Sequence, residues 1–237
     1  MKIRLEHMMD AGCSGRKNQD AYWVKKQVIK EKTVVLGMVC DGVGGASCGE
    51  AASRITIDCM VGSFWSELPQ YLEYQFSMEQ IGSQLNVILN KINHRLYLES
   101  KKNGKRTGTT IALCLIIEQD YLIANVGDSR VYWHKKKGMY RTKDHTAASL
   151  KKERIDSEDT HILWQSVGSQ KKLRIDQYFG KVDVPMEVLL LTDGAYRSFD
   201  RREIMNFCKY GNLRRMKRQA IKRREPDNLT GVRIQIQ

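Results

Sequence analysis

The amino-acid sequence predicts an α+β fold. Three observations favour this class: short apolar or β-branched runs occur in groups, two long segments with helical periodicity follow each other between those groups, and no internal repeat or Pro-rich linker divides the 237 residues. Grouped strands and paired helices are typical of α+β proteins, whereas regular strand–helix alternation is typical of parallel α/β sheets. We therefore expect a single domain over residues 1–237.

Six runs enriched in β-branched and apolar residues are predicted to be strands, because such residues suit a buried pleated surface. Two segments between the first and second runs repeat apolar residues every three or four positions, which predicts helices with one buried face. A third, strongly basic segment is also compatible with a helix. The predicted strands are residues 33–40, 109–117, 121–126, 131–134, 188–192 and 232–236, and the predicted helices are residues 49–68, 78–97 and 201–224.

The composition excludes several classes of protein. With 41% hydrophobic and 28% charged residues, the chain is neither collagen-like nor of low complexity nor wholly disordered. The six cysteines form no CxxC pair, which excludes the usual zinc-site spacing and indicates reduced thiols. The N-terminus lacks the apolar core of a signal peptide, and no run approaches the length of a membrane span. We expect a cytoplasmic protein.

The net charge of +13 suits an acidic substrate or a polyanionic partner. Residues 197–225 hold 11 Lys and Arg against 3 acidic residues, so this segment carries most of the excess. Two interpretations stay open: a solvated helix face, or a docking surface for acidic phosphoproteins, nucleic acid or an anionic membrane. No aromatic residues alternate with these charges as in single-strand binding proteins, so nucleic acid is not the expected partner.

Five aspartates stand at the edges of apolar runs, mostly beside Gly or Asn. They are Asp20, Asp41, Asp128, Asp193 and Asp227. One such Asp is usually a turn residue, but carboxylates gathered at strand ends repel one another unless cations lie between them. Mg²⁺ and Mn²⁺ prefer oxygen ligands, and a shared carboxylate can hold two ions about 3.5–4 Å apart. Because no His or Cys cluster offers a softer site, the pattern predicts hard divalent ions.

Eight short motifs, in this order along the chain, resemble those of the metal-dependent protein phosphatase family, the type 2C serine/threonine phosphatases, in its small bacterial form. Each motif alone is weak, but the ordered set is specific. The motifs are DAG at 10–12, NQDA at 18–21, DGVGG at 41–45 with GEAAS at 49–53, GTT at 108–110, NVGDSR at 125–130, TKDHT at 142–146, LLTDGA at 190–195 and DNLT at 227–230.

The resemblance implies a four-layer α-β-β-α sandwich, with two mostly antiparallel central sheets flanked by helix pairs and metal ions in a cleft at one end of the sheets. It implies that Asp41 bridges two Mn²⁺ or Mg²⁺ ions and that the Gly42 carbonyl binds one of them. Asp193 and Asp227 would complete the other site, and Asp20 would bind directly or through water.

The resemblance further implies that Asp128 holds a third, weaker ion. It implies hydrolysis of phosphoserine and phosphothreonine in proteins by a metal-bridged water, with no protein nucleophile. The implied partners are phosphorylated proteins, acidic ones among them, and a cognate Ser/Thr kinase. We expect the protein to be a monomer.

Three departures from the family pattern bear on the site. The phosphate-binding Arg of the family falls on Gly15, so we assign that role to Arg16, one residue later, with Lys17 or another base as the alternative. Gln19 stands where Glu is common. Val43 replaces a His of the eukaryotic members, and we expect His145 to be a structural residue before a short flap at about residues 145–170 rather than a catalytic one.

One alternative from another class is a catalytically weak or silent regulatory protein of the same fold that binds phosphoproteins. A degenerate site would lose its metal-binding carboxylates, whereas Asp41, Asp193 and Asp227 are all present. The sequence therefore favours an enzyme. A nucleic-acid binder is a further alternative that rests on net charge alone, and salt-dependent binding without phosphatase activity would support it.

Overall fold

The computed structural model describes residues 1–44, 46–73, 77–105, 107–136, 138–151 and 162–237. Two antiparallel five-stranded sheets lie face to face. The first has the strand order β1-β12-β11-β8-β9 and the second the order β10-β7-β6-β3-β2, with a small β4-β5 pair beside them. The strands are β1 (Ile3–Asp10), β2 (Ala21–Ile29), β3 (Lys32–Cys40), β4 (Gly42–Val43), β5 (Gly108–Thr109), β6 (Ile111–Ile117), β7 (Asp120–Val126), β8 (Arg130–Lys135), β9 (Gly138–Arg141), β10 (Asp176–Lys181), β11 (Met186–Leu191) and β12 (Leu229–Ile236).

Helices cover the outer face of each sheet. The long helices α1 and α2 pack on the second sheet, and α4, α5 and α6 pack on the first. The short helix α3 follows β9. The helices are α1 (Ala46–Leu72), α2 (Met78–Asn103), α3 (Ala147–Lys151), α4 (Asp193–Tyr196), α5 (Arg201–Tyr210) and α6 (Leu213–Lys222).

Strand β3 shows why the sheets stack. Side chains alternate along a strand, so Leu36 and Met38 face the helices α1 and α2, while Val35 and Val39 face the other sheet. A Cβ at Gly37 would lie 3.1 Å from the Ile234 side chain of the opposing sheet. Since both faces of this strand are buried, its sequence is a continuous apolar run. The result is the predicted four-layer α-β-β-α architecture, which confirms the fold class.

Four strands that the periodicity did not predict lie at the sheet edges. They are β1, β9, β10 and β2, and each carries charged or polar residues between apolar ones. An edge strand is partly solvated, so its apolar signal is diluted. The predicted run 109–117 is likewise two strands, β5 and β6, separated at Thr110.

The predicted helix over residues 201–224 is wrong in one respect, because it is two helices. The break falls between Tyr210 and Leu213, where the Asn212 side chain accepts a hydrogen bond from the Arg215 amide at 2.8 Å and so caps α6. At Gly211 a Cβ would lie 2.7 Å from the Phe207 Cα, so any side chain at this position would clash with α5. In the described part of the chain, no helix is long and apolar enough to cross a membrane.

Candidate metal centre

Strand pairing gathers the five aspartates at one end of the two sheets. In the second sheet Ala21 pairs with Cys40, so the residues just before β2 and just after β3, Asp20 and Asp41, are neighbours. In the first sheet the Thr192 amide donates to the Thr230 carbonyl at 3.0 Å, which places Asp193 beside the turn that leads into β12. The antiparallel register therefore assembles residues that are far apart in sequence.

One side-chain hydrogen bond ties the two sheets together at this end. The Thr192 hydroxyl, from the first sheet, donates to Asp20 Oδ2 at 2.9 Å. A second link runs from the Gln19 amide to Asn228 Oδ1 at 2.9 Å. Sequence reasoning missed both Thr192 and Asn228 as positioning residues, although each stands directly beside a predicted ligand.

The backbone around Asp41 is held from both sides. The Asp41 amide donates to the Thr110 hydroxyl at 2.9 Å, and the Asp41 carbonyl accepts from the Thr109 hydroxyl at 2.8 Å. A Cβ at Gly42 would lie 2.2 Å from the Gly49 carbonyl oxygen, so the start of α1 packs directly on this backbone. The two Thr of the GTT motif and the two glycines thus fix the loop that carries Asp41.

The carboxylates share a buried environment that opposes their ionisation. Burial raises the pKa of Asp20 to about 7, and the nearby charges of Asp193 and Asp227 add to this effect. Burial also raises the pKa of Asp41 well above its usual value, with further contributions from Asp20, Asp193 and Asp128. Carboxylates arranged in this way need nearby positive charge or hydrogen-bond donors to stabilise their charged form.

Asp128 belongs to the same group. Its side chain is buried, and burial together with the charge of Asp193 raises its pKa to about 7. The neighbouring Arg130 does not hydrogen-bond to it, because the guanidinium donates two hydrogen bonds to Asp144, from Nε at 2.9 Å and from Nη2 at 2.6 Å. Asp128 is therefore not held by a hydrogen bond from Arg130.

Sequence reasoning did not predict that Arg197 lies beside the aspartates. Its guanidinium donates a short hydrogen bond to Asp193 Oδ2, and its Nη1 lies 3.5 Å from Asp227 Oδ2. Arg197 follows Asp193 by four residues, a helical spacing that brings the two side chains to one face. Sequence analysis counted this residue only within the basic segment 197–225.

The chemistry of the donor atoms, carboxylate oxygens alone, suits hard divalent ions. Asp20 Oδ1 is buried and has no hydrogen-bond partner among the described residues, and nearby carboxylates raise the pKa of Asp20 and of Asp41. Oxygen ligands alone are what Mg²⁺ and Mn²⁺ prefer. Within the residues that the structure describes, no three Asp, Glu, His or Cys side chains are placed so that together they could hold an ion. Two of the expected ligands, Asp193 and Asp227, are instead paired with Arg197.

Arg16 lies on the surface, away from these contacts. Its amide donates to the Ser14 hydroxyl at 3.3 Å, and its guanidinium forms no ion pair or hydrogen bond with the described residues. The alternative residue, Lys17, is engaged by Glu50 at 2.5 Å. The structure therefore does not bring Arg16 to the aspartates, and its role in phosphate binding stays a prediction.

His145 is buried beneath the loop that follows β7. Its Nδ1 accepts a hydrogen bond from the Gly127 amide at 3.2 Å, and its Nε2 lies 3.4 Å from Asp176 Oδ2. Burial lowers its pKa. These contacts support the interpretation of His145 as a structural residue. Of the expected flap at 145–170, residues 152–161 lie outside the described residues.

Comparisons with known proteins show the family and the fold of the chain. The family model described as protein phosphatase 2C matches residues 13–226. The serine/threonine phosphatase stp of Listeria innocua is 27% identical over 218 residues, which cover 87% of this chain and 83% of that protein. The protein phosphatase PhpP of Streptococcus pneumoniae is 26% identical over 223 residues, with 90% and 83% covered. The crystal structure of the serine/threonine phosphatase Stp1 from Staphylococcus aureus superposes with a TM-score of 0.84 at 24% identity, covering 100% of this chain and 96% of that one.

Proposed function

Because the chain belongs to the protein phosphatase 2C family, we propose that it hydrolyses phosphoserine and phosphothreonine in proteins with the help of Mn²⁺ or Mg²⁺. The observation that carries this proposal is the set of aspartates at one end of the stacked sheets, four of which have their pKa raised by burial and by neighbouring carboxylates. These four are Asp20, Asp41, Asp128 and Asp193. A protein that only bound phosphoproteins would have no need of these mutually repelling groups. No observation favours the catalytically silent alternative.

We assign two core ions to Asp41, Asp193, Asp227 and the Gly42 carbonyl, with Asp20 as a direct or water-mediated ligand. When bound, such ions neutralise the charge of the phosphoryl group and lower the pKa of the attacking water. The chain itself supplies the fixed positions: the Thr109 and Thr110 hydroxyls hold the Asp41 backbone.

We assign a third, weaker ion to Asp128, because it is a buried carboxylate whose pKa is raised by burial and by the charge of the expected core ligand Asp193. A site with fewer charged ligands binds its ion less tightly. The Tyr196 hydroxyl donates to the Asp128 carbonyl at 2.9 Å and fixes its backbone.

We propose Arg16 as the residue that binds the substrate phosphate. It is exposed and unpaired among the described residues, so its guanidinium is available for a bidentate contact. Arg197 forms ion pairs with both Asp193 and Asp227, and it must give up at least one of these pairs when an ion binds to the two carboxylates. Its guanidinium is then a second one, besides that of Arg16, close to the substrate phosphate.

The physiological setting follows from this activity. Phosphorylated proteins are the substrates, with a cognate Ser/Thr kinase as the opposing enzyme. We place the activity in one catalytic domain over residues 1–237, with the flap at about 145–170, in a cytoplasmic monomer.

The test is hydrolysis of a phosphothreonine peptide in parallel with EDTA, Mg²⁺ and Mn²⁺. We expect phosphate release with Mn²⁺ or Mg²⁺ and none with EDTA. p-Nitrophenyl phosphate serves as a control substrate that needs no peptide contacts. If the metal-loaded protein cleaves neither substrate, the proposal is wrong.

A further inference from the structure

A pocket of about 730 Å³ opens directly beside the metal centre. Asp128 and Arg197 are among its lining residues, so the pocket adjoins the expected ligands. Arg141, at the end of β9, Lys143, just after β9, and Arg174, from the segment before β10, also line it. We call this volume the basic pocket.

Part of the positive charge in the basic pocket is neutralised by the protein itself. Arg130 is fully engaged: its guanidinium donates to Asp144 and to the Tyr132 hydroxyl and stacks on the Tyr196 ring at 3.8 Å. Because Asp144 is already held by Arg130, its 3.4 Å contact with Arg141 leaves the charge of Arg141 largely uncompensated.

The remaining charges face the opening. Lys143 is exposed and forms no ion pair with any described residue; only its backbone is bound, to the Tyr178 hydroxyl and the Asn125 side chain. Arg174 is 73% exposed and contacts Asp176 at 3.4 Å. Asp176 also lies beside His145 inside the fold. Five Lys and Arg side chains and three carboxylates therefore line the basic pocket, so positive charge is in excess beside the aspartates.

We propose that the basic pocket is a subsite for a second anionic group of the substrate, namely an Asp or Glu side chain or a second phosphate close to the phosphorylated residue. The inference rests on the proposed function and extends it to the substrate class. A positive pocket that adjoins the expected ligands attracts a chain that carries negative charge next to the residue being dephosphorylated. Lys143 and Arg174 are then specificity-determining residues.

The first experiment compares kcat/KM for phosphothreonine peptides that differ only in their flanking residues, with Glu, Gln or Lys at the neighbouring positions. We expect the Glu peptide to be preferred over the Gln peptide, and Lys143→Ala to reduce this preference about 2- to 5-fold, as for one partly screened charge pair. Lys143→Glu should shift the preference toward the Lys peptide. The matched control is Lys91→Ala, an exposed lysine on α2, which should keep the wild-type ratio.

The second experiment measures binding without turnover. Fluorescence anisotropy in EDTA compares peptides with unmodified threonine and either Glu or phosphoserine flanks, which distinguishes a carboxylate from a second phosphate as the preferred group. We expect tighter binding than for Gln flanks, weakened by Arg174→Gln, by Lys143→Ala and by 0.5 M salt.

Equal kcat/KM for the Glu and Gln peptides, or a preference unchanged in both Lys143 variants, would overturn the subsite while p-nitrophenyl phosphate was still cleaved. If no substrate at all is cleaved, the proposed function fails, and the anisotropy measurements then decide the subsite on their own. Melting curves for each variant show that the fold is intact.

Discussion

Neutralising Asp20 is expected to stabilise the metal-free protein and to weaken its response to metal. The Asp20 carboxylate is buried, one of its oxygens has no hydrogen-bond partner, and it lies close to other carboxylates. In Asp20→Asn, the side-chain oxygen still accepts from the Thr192 hydroxyl, which donates at 2.9 Å in the wild type. The substitution thus removes a charge and keeps the main contact.

The magnitude follows from the pKa of this group, which is raised from 3.8 to about 7. A group with a raised pKa in the folded state binds its proton more tightly there than in the unfolded state, so its destabilising effect grows as the pH rises from about 4 to about 7. Above pH 7 this difference between the folded-state and unfolded-state pKa lowers the free energy of unfolding by about 4 kcal/mol. Burying the new amide donors costs about 1 kcal/mol, which leaves a net gain of about 3 kcal/mol.

The assay is thermal unfolding with EDTA and with Mn²⁺. For a chain of this length, about 3 kcal/mol corresponds to about 6–12 °C in Tm. At pH 8 in EDTA we expect Asp20→Asn to melt higher than the wild type by this amount. At pH 4 we expect it to melt slightly lower than the wild type, because the cost of burying the amide donors remains after the gain is lost. With Mn²⁺ the wild type should gain more in Tm than the variant. A variant that melts at or below the wild-type Tm in EDTA at pH 8 would refute the reasoning.

Three further predictions concern neighbouring residues. Asp128→Ala should keep the fold and two core ions but lower turnover at saturating Mn²⁺ about tenfold; unchanged metal stoichiometry and Mn²⁺ dependence with a lower Tm would show a structural role instead. Arg197→Gln should tighten Mn²⁺ binding in calorimetry about tenfold, because a positive charge about 5 Å from a divalent ion costs about 1–2 kcal/mol even in a watery environment; an unchanged Kd would contradict this. Arg16→Ala should raise KM for p-nitrophenyl phosphate about tenfold, with partial recovery in Arg16→Lys and Mn²⁺ affinity unchanged; a wild-type KM would remove Arg16 from the phosphate site.

The sequence predicted the central strands well because burial on both faces leaves a strong apolar signal. Strand β3, whose Val34 to Cys40 are all buried, is the clearest case. The edge strands β1, β2, β9 and β10 were missed because solvated positions admit charged residues such as Glu6 and Lys25. Periodicity alone cannot separate such segments from loops.

The grouping of the aspartates was predictable because several carboxylates at strand ends have few structural explanations. In the structure the charge of Asp193 acts on Asp20, Asp41 and Asp128. The ion pairs of Arg197 were not predictable from composition. Its place between two carboxylates depends on the short helix α4 and on the turn before β12, which come together only in the folded chain.

Turnover by Asp41→Asn most directly tests the central claim that the clustered aspartates bind the ions that drive phosphate hydrolysis. The measurement is the rate of phosphate release from a phosphothreonine peptide at saturating Mn²⁺, with Asp58→Asn, an exposed position on α1, as the matched control. We expect Asp41→Asn to fall to the rate measured in EDTA, since the carboxylate assigned to both core ions loses its charge, while Asp58→Asn stays at the wild-type rate. Near wild-type turnover in a folded Asp41→Asn variant would contradict the account.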